Sequence, residues 1–356
     1  MFDINFYRKI YSITKQIEQK NITDKELLFE LFDDTRNKLP IVYNIETTNA
    51  CNMKCTMCPR TTKMTRPIET IDSDTFSNII KQLTPFSVSE WNKWKTFVET
   101  TYNIYENDMS ENHFFLYIIP KIIQLHGYGD PLLDKNIESY VKVLGDNGFN
   151  SYFSCNPANI NVEKTKRMFD AGLSYIKYSI ESVDDLKHKK IRGDCSNFVD
   201  SYNKIIDILD IKEKMNYNTT VVITMLDLNN DKQKEEYDAL TNAFKGLNVY
   251  IYLKSQDQQW YNTIYHGTNS IHWSEFCKHP WMSMTIKSNA DVVMCMEDYN
   301  NEIILGNAKK DSLYNIWNGK KYIQFRKDHF NSAQNIKCTN ECDMDVVGKY
   351  LNDNIH

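Results

Sequence analysis

An α/β fold, built as a parallel sheet or open barrel and followed by a small C-terminal domain, is what this 356-residue sequence predicts. Six short apolar runs alternate with segments of helical periodicity between residues 41 and 253, the pattern of parallel strands joined by crossover helices. The cysteines gather in two places, directly after the first apolar run and in the last eighty or so residues. In open α/β folds the site lies at the C-terminal ends of the strands, where the first cysteine group falls.

In chain order, residues 1–39 form an N-terminal helical arm, with Phe6, Ile10, Ile13 and Ile17, then Leu27, Leu28 and Leu31, at helical spacing before Pro40. A barrel-forming segment follows over 40–256. Its strands are Ile41 to Ile45, Ile122 to His126, Ser151 to Cys155, Tyr175 to Ile180, Thr219 to Leu226 and Val249 to Leu253. The clearest helical stripe is Phe198, Val199, Tyr202, Ile205, Ile206 and Leu209. A stretch at about 85–120 interrupts the alternation. Trp91, Trp94, Val98, Tyr102 and Tyr105 at spacings of three and four predict a helical insertion. It reads as a lid or substrate wall at the barrel mouth, a subunit contact, or a helix pair covering a sheet edge. Residues 270–356 form the small tail domain.

The net charge of −5 argues against a partner as polyanionic as nucleic acid. Hydrophobic residues at 41% supply a core and exclude wholesale disorder. No apolar run approaches the ~18 residues of a membrane span, and the first residues lack a continuous hydrophobic signal segment. The expectation is a cytoplasmic globular protein with no membrane partner.

Nine cysteines in a reducing compartment do not suggest a disulfide framework. Cys51, Cys55 and Cys58 share one C-x3-C-x2-C loop; Cys277, Cys295, Cys338 and Cys342 lie in the tail; Cys155 and Cys195 are isolated. Three thiolates on a four-iron cluster leave one iron without a protein ligand. A zinc site would want a fourth ligand, and none follows closely behind Cys58; a chance grouping of core cysteines is the other alternative.

Glu46-Thr47-Thr48-Asn49-Ala50-Cys51-Asn52, with Lys54-Cys55, Met57-Cys58 and Pro59, resembles the cluster loop of the radical S-adenosylmethionine enzymes. The resemblance implies a partial (β/α)6 TIM-like barrel and a [4Fe–4S] cluster with an open iron site held by Cys51, Cys55 and Cys58. It also implies S-adenosyl-L-methionine chelated to that iron and cleaved to a 5′-deoxyadenosyl radical, and an external reductant such as flavodoxin or ferredoxin. Met57, in the loop, would border the nucleotide. His126-Gly127-Tyr128-Gly129-Asp130-Pro131 resembles the family's Gly-Gly-Glu-Pro motif, with Tyr128 for the first Gly and Asp130 for the Glu; Gly127, Tyr128, Gly129 and Asp130 would face the methionine amine. Asn156, Ser179 and Arg192 match nucleotide-facing positions after the third and fourth strands, and Thr224 and Met225 could border the adenine. Each of these has a plain alternative as a turn or helix cap.

The tail resembles the shorter SPASM or twitch form of auxiliary cluster domain: Cys277 ahead of a β-hairpin, Cys295 behind it, then Cys338 and Cys342. Four thiolates imply one closed auxiliary [4Fe–4S] cluster, with structural zinc as the alternative. The usual Asp-Gly hairpin turn is replaced by Ser288-Asn289-Ala290-Asp291. His272 and His279 lie nearby and read as satisfied polar histidines.

A closed cluster suits electron transfer. The reaction implied is hydrogen abstraction followed by a two-electron oxidation of a small-molecule or peptide substrate, the auxiliary cluster accepting the electron. The alternatives are a redox-neutral epimerase or peptide maturase, and an iron–sulfur or zinc protein without radical chemistry. The catalytic residue is not identified by the sequence; Asp257 and Lys254 are candidates for a base, and Cys195 for the hydrogen donor of an epimerase.

Overall fold

A computed structural model describes residues 1–20, 24–106, 110–228, 231–254 and 278–331. Six strands run in parallel, β1 (Val42–Ile45), β2 (Ile122–Gln124), β3 (Asn150–Cys155), β4 (Tyr175–Ser179), β5 (Thr220–Leu226) and β6 (Tyr250–Lys254). All six lie within a residue or two of the runs predicted from sequence. Three further strands come from the tail: β7 (Met284–Ile286), β8 (Asp291–Val293) and β9 (Ile304–Asn307). They join the same sheet, in the order β6-β5-β4-β3-β2-β1-β7-β8-β9, with β7 parallel to β1. The hydrogen-bonded sheet therefore runs straight through the boundary expected between barrel and tail.

Strand alternation separates two cores. Phe153, Ile176, Tyr178, Val221, Ile223 and Met225 point to the face covered by the crossover helices. Tyr43, Ile122, Tyr152, Val222, Tyr250 and Tyr252 point to the concave face. Met225 thus belongs to the helix-covered core, and of the expected adenine-bordering pair only Thr224 lies on the concave side.

The β7–β8 hairpin closes without glycine. Ala290 takes a left-handed conformation with φ 68°, and Asn289 and Asp291 bond across the turn at 2.8 and 3.0 Å. The short polar side chains stabilise a geometry that a Cβ disfavours. Farther on, the Arg326 guanidinium is buried over the rings of Trp317 and Tyr322, at 4.2 and 4.4 Å, and donates to Trp317 O and Pro280 O.

The aromatic insertion is helical, as predicted, and its second half reaches the edge strand β6, where Tyr250 OH donates to Ser110 O and His113 meets the Tyr250 ring edge-on. Its helix Val88–Tyr102 begins with a capping box between Ser87 and Glu90 and ends at Asn103 in the left-handed region. Trp94, fully buried, meets Phe2 and Tyr7 edge-on and donates its indole N–H to Leu116 O at 2.7 Å. Phe114 lies against Tyr152 and Tyr252 on the concave face. The N-terminal arm, α1 (Ile4–Lys20) and α2 (Lys25–Thr35), enters beside it: Phe2 N–H donates to Pro120 O and Asp3 N–H to Met282 O, just before β2 and β7. Arm and insertion together seal the N-terminal floor of the barrel, because an open concave face would leave aromatic surface in water. We expect Trp94→Ala to cost about 3–5 kcal/mol by opening a cavity in this floor. A urea-unfolding midpoint unchanged from the parent would refute this packing role.

Candidate active site

Beyond β1 the chain stays buried through Glu46, Thr47, Thr48 and Asn49, then opens into the cysteine loop. The loop is pinned from both sides. Arg60 Nε donates to Asn49 O at 2.9 Å, Thr61 Oγ1 to Cys55 O at 2.9 Å, and the N–H groups of Lys54 and Thr56 to Arg192 O and Ile191 O at 3.1 and 2.9 Å. Cys55 is buried, Cys51 and Cys58 are half-buried, and all three are free thiols. Met57 is half-buried between them. Burial pushes the Cys51 thiol up to about 11 and Cys58 to about 12, with the neighbouring loop thiols adding to each shift. The thiols are thus electrostatic neighbours. Among the described residues, however, no three His, Cys, Asp or Glu side chains converge as the ligands of a single ion do.

The Gly127–Asp130 turn packs directly under this loop. A Cβ on Gly129 would overlap Thr48 O and come within 2.7 Å of Asn49 Cα, and one on Gly127 would overlap the Glu46 carboxylate. Tyr128 N–H donates to Glu46 Oε1 at 3.0 Å, and Tyr128 OH to Glu297 Oε2 at 2.8 Å. Asp130 is committed to bracing: its carboxylate accepts from Leu132 N–H, Asn156 N–H and the Asn159 amide, and its own N–H donates to Ala50 O. The shortened side chain ties β2's end to β3's end and to the cysteine loop.

Glu46 received no role from the sequence, yet it links three segments. Its oxygens accept from Arg66 at 3.0 and 2.9 Å, from Tyr128 N–H, and from Ser288 N–H and Oγ at 3.3 and 3.2 Å. Burial raises its pKa, but Lys287, Arg66 and the Tyr128 N–H outweigh that and hold it below the ordinary value.

A second network stands at the ends of β3 and β4. Asn156 Oδ1 accepts from Ala158 N–H at 2.9 Å and from Ser196 Oγ at 3.1 Å. Ser196 Oγ lies 2.8 Å from His188 Nε2, and His188 Nδ1 accepts from Glu181 N–H at 3.3 Å. That acceptance puts the imidazole proton on Nε2. Glu181 in turn pairs with Arg192, whose Nη1 lies 3.5 Å from Cys55 Sγ. His188 and Ser196 were missed by sequence reasoning, since a histidine in a helix and a loop serine carry no motif. Asn156 Nδ2 is buried without a hydrogen-bond partner, and so is Arg192 Nε. Orphaned donors at the strand ends fit a polar ligand such as a nucleotide.

The structure thus brings Cys51, Cys55, Cys58, Gly127, Tyr128, Gly129, Asp130, Asn156 and Arg192 into one region. Ser179 closes β4 beside Thr224 of β5, and Lys254 ends β6 on the concave side. Cys155 points into the helix-covered core, and Cys195 is exposed. Cys295 is buried directly beyond β8, and His279 is buried against Tyr43 with Ser283 Oγ 3.5 Å from its Nδ1. Asp257, His272, Cys277, Cys338 and Cys342 lie outside the described residues.

Residues 45–240, more than half of the chain, match the model of the radical SAM superfamily. The chain belongs to that superfamily. Residues 277–343 match SPASM, an iron–sulfur cluster-binding domain. No curated relative matches the sequence. Solved structures that share the fold include three that carry the nucleotide. BtrN in complex with AdoMet and 2-DOIA is 16% identical at TM-score 0.51, over 85% of this chain and 93% of its own. Streptococcus suis SuiB bound to S-adenosylmethionine is 12% identical at TM-score 0.53, over 90% and 78%. Native anSMEcpe with bound AdoMet is 11% identical at TM-score 0.53, over 85% and 89%. The cofactors of the chain are accordingly a [4Fe–4S] cluster, S-adenosylmethionine and auxiliary iron–sulfur, and no described helix is long and apolar enough to cross a membrane.

Gly129→Ala should displace the cysteine-loop backbone and weaken S-adenosylmethionine binding at least about tenfold, which is ~1.4 kcal/mol. Equilibrium dialysis with unaltered affinity would contradict the close approach. His188, its pKa lowered to about 4 by burial and then by Arg192, stays neutral in the fold but takes a proton near pH 6.5 when unfolded. The unfolded chain therefore binds more protons between these limits, and stability falls as pH drops from 6.5 to 4, by up to about 3 kcal/mol. Denaturant titrations across that window should show a flatter pH dependence for His188→Gln than for the parent.

Proposed function

We propose that this protein is a radical S-adenosylmethionine oxidoreductase that removes two electrons from a substrate carbon, with one auxiliary [4Fe–4S] cluster in the tail as electron acceptor. Cys51, Cys55 and Cys58 would hold the radical cluster, and Cys277, Cys295, Cys338 and Cys342 the auxiliary one. When bound, the cluster and nucleotide supply the hydrogen-abstracting radical.

The observation that carries the reading is the junction between the Gly127–Asp130 turn and the segment around Cys295. Tyr128 OH bonds Glu297, two residues beyond Cys295. The Lys287 ammonium lies over the Tyr128 ring at 5.3 Å and donates to Met296 O at 2.8 Å. Gln124 of β2 reaches Met296 Sδ at 3.9 Å. Because β7 pairs with β1, the two cysteine regions ride on one rigid sheet, an arrangement suited to passing an electron between them. Gly127, Tyr128 and Gly129 would receive the methionine end of the nucleotide, Met57, Asn156, Ser179 and Arg192 the rest, and Asp130 would act by holding Asn156 in place. Exposed Cys195 is a poor hydrogen donor for a radical that must be kept from solvent, which disfavours the epimerase reading. A peptide maturase shares the same machinery and differs in its substrate.

After anaerobic reconstitution the chain should carry about eight irons, falling to about four in Cys295→Ala. That variant should lose product formation. Mass spectrometry of the product should show a loss of two hydrogens alongside 5′-deoxyadenosine; a product of unchanged mass would overturn oxidation in favour of redox-neutral chemistry.

A further inference from the structure

The cysteine loop meets the outer surface along one short helix. Shortly after β4 the chain forms the helix Asp185–Arg192, whose C-terminal end carries the loop. Lys54 N–H and Thr56 N–H donate to Arg192 O and Ile191 O, at 3.1 and 2.9 Å. Gly193 lies so close that a Cβ on it would stand 3.0 Å from Lys54 N. Leu186, Lys189, Lys190 and Gly193 occupy positions i, i+3, i+4 and i+7, so they share one face of the helix. They form a stripe that ends on Lys54, one residue before Cys55. The other face is committed: His188 is buried, Lys187 pairs with Glu236 and Arg192 with Glu181.

The stripe is exposed, and its charges do not cancel. Lys54 and Lys190 are exposed and Lys189 is half-buried, and none of the three pairs with a carboxylate among the described residues. Of the carboxylates between residues 181 and 200, Glu181 is paired with Arg192, and Asp200 lies 2.8 Å from Lys204. Asp184 and Asp185 accept backbone N–H groups at the starts of this helix and the next. Asp194 is left against three lysines. The loop side adds no negative charge, since no Asp or Glu occurs from Thr47 to Ile68. A charged stripe is by itself an ordinary solvated face. This one also carries Leu186, 80% exposed, and Val199, 56% exposed, which the Asp185 carboxylate holds at the start of the neighbouring helix. Apolar side chains left in water beside unpaired cations are the make-up of a protein-docking surface.

We propose that the stripe from Leu186 to Lys54 is the docking surface for an acidic one-electron carrier protein that serves the radical cluster. Each reductive cleavage of the sulfonium draws one electron from the cluster, and one electron must return from outside the barrel. The carrier, a flavin or iron–sulfur protein, is oxidised by that one electron, and no bond forms or breaks at the docking face. The floor of the barrel is sealed and the mouth receives nucleotide and substrate, which leaves the outer side of the cysteine loop for the carrier. Opposite charge steers the encounter, and Leu186 and Val199 supply the apolar contact. The inference rests on the radical cluster alone and holds for an oxidase and a redox-neutral enzyme equally, since both need the radical.

The test uses the full chain, reconstituted anaerobically with its clusters and saturated with S-adenosylmethionine. The probes are a flavodoxin and an acidic ferredoxin, each immobilised for biolayer interferometry at low and at high ionic strength. We expect at least one to bind at low salt, and to bind more weakly at high salt because exposed charges are screened. Affinity should fall at least about tenfold in the double variant Lys189→Glu/Lys190→Glu and severalfold in Leu186→Ser. It should change little in Lys214→Glu, at the far end of the 17-residue helix Phe198–Lys214. Release of 5′-deoxyadenosine separates docking from folding. With limiting reduced carrier the double variant should be at least about tenfold slower than the parent, and with dithionite, which needs no docking, equal to it. Binding of neither carrier, unaltered affinity in the double variant, or an equal loss of rate with dithionite would overturn the docking surface. Self-association that is lost in the double variant, without carrier binding, would overturn it in favour of a second copy of the chain. Failure of the oxidoreductase reading would show separately, as a product of unchanged mass.

Discussion

A single buried carboxylate, Glu46, is what the catalytic end of this barrel is assembled around. It stands where β1 passes into the cysteine loop and is completely enclosed. An isolated carboxylate there would be prohibitively expensive; Arg66, the backbone of Tyr128 and both polar groups of Ser288 make it tolerable. Those partners belong to the segment after the cysteine loop, to the glycine turn after β2 and to the tail hairpin. The carboxylate can be satisfied only when all three are in place, so one electrostatic requirement fixes the cysteine loop, the turn and the hairpin together. The lack of a side chain on Gly127 is part of the same constraint, since a Cβ would occupy the carboxylate's position.

The two ends of the barrel are built from opposite materials. The floor is apolar, closed by Trp94, Phe114 and the N-terminal arm, and its stability comes from area removed from water. The mouth is polar, and its order comes from chained hydrogen bonds running from Asp130 through Asn156, Ser196 and His188 to Glu181 and Arg192. A sealed floor keeps water from entering behind a reactive intermediate, while directional bonds at the mouth hold ligand-facing groups in fixed orientation.

Departures from the family pattern are absorbed locally. Asp130, one methylene shorter than the usual Glu, accepts three hydrogen bonds and serves as a brace between strand ends. Tyr128, in place of a glycine, sends its ring toward the tail and bonds Glu297. Ala290, in place of a hairpin glycine, adopts a left-handed conformation supported by Asn289 and Asp291.

The sequence by itself determined the strand runs, the crossover helices and the cysteine loop, because periodicity and spacing are local properties. Only the tertiary structure decided that the insertion forms a floor, since an aromatic stripe records that a face is buried and not what buries it. The joining of β7 to β1 was likewise invisible, as strand pairing is a contact between distant segments. Glu46 and His188 took on meaning in the same way: a charge or an imidazole has its role set by the partners and the dielectric around it, and both are supplied by the fold.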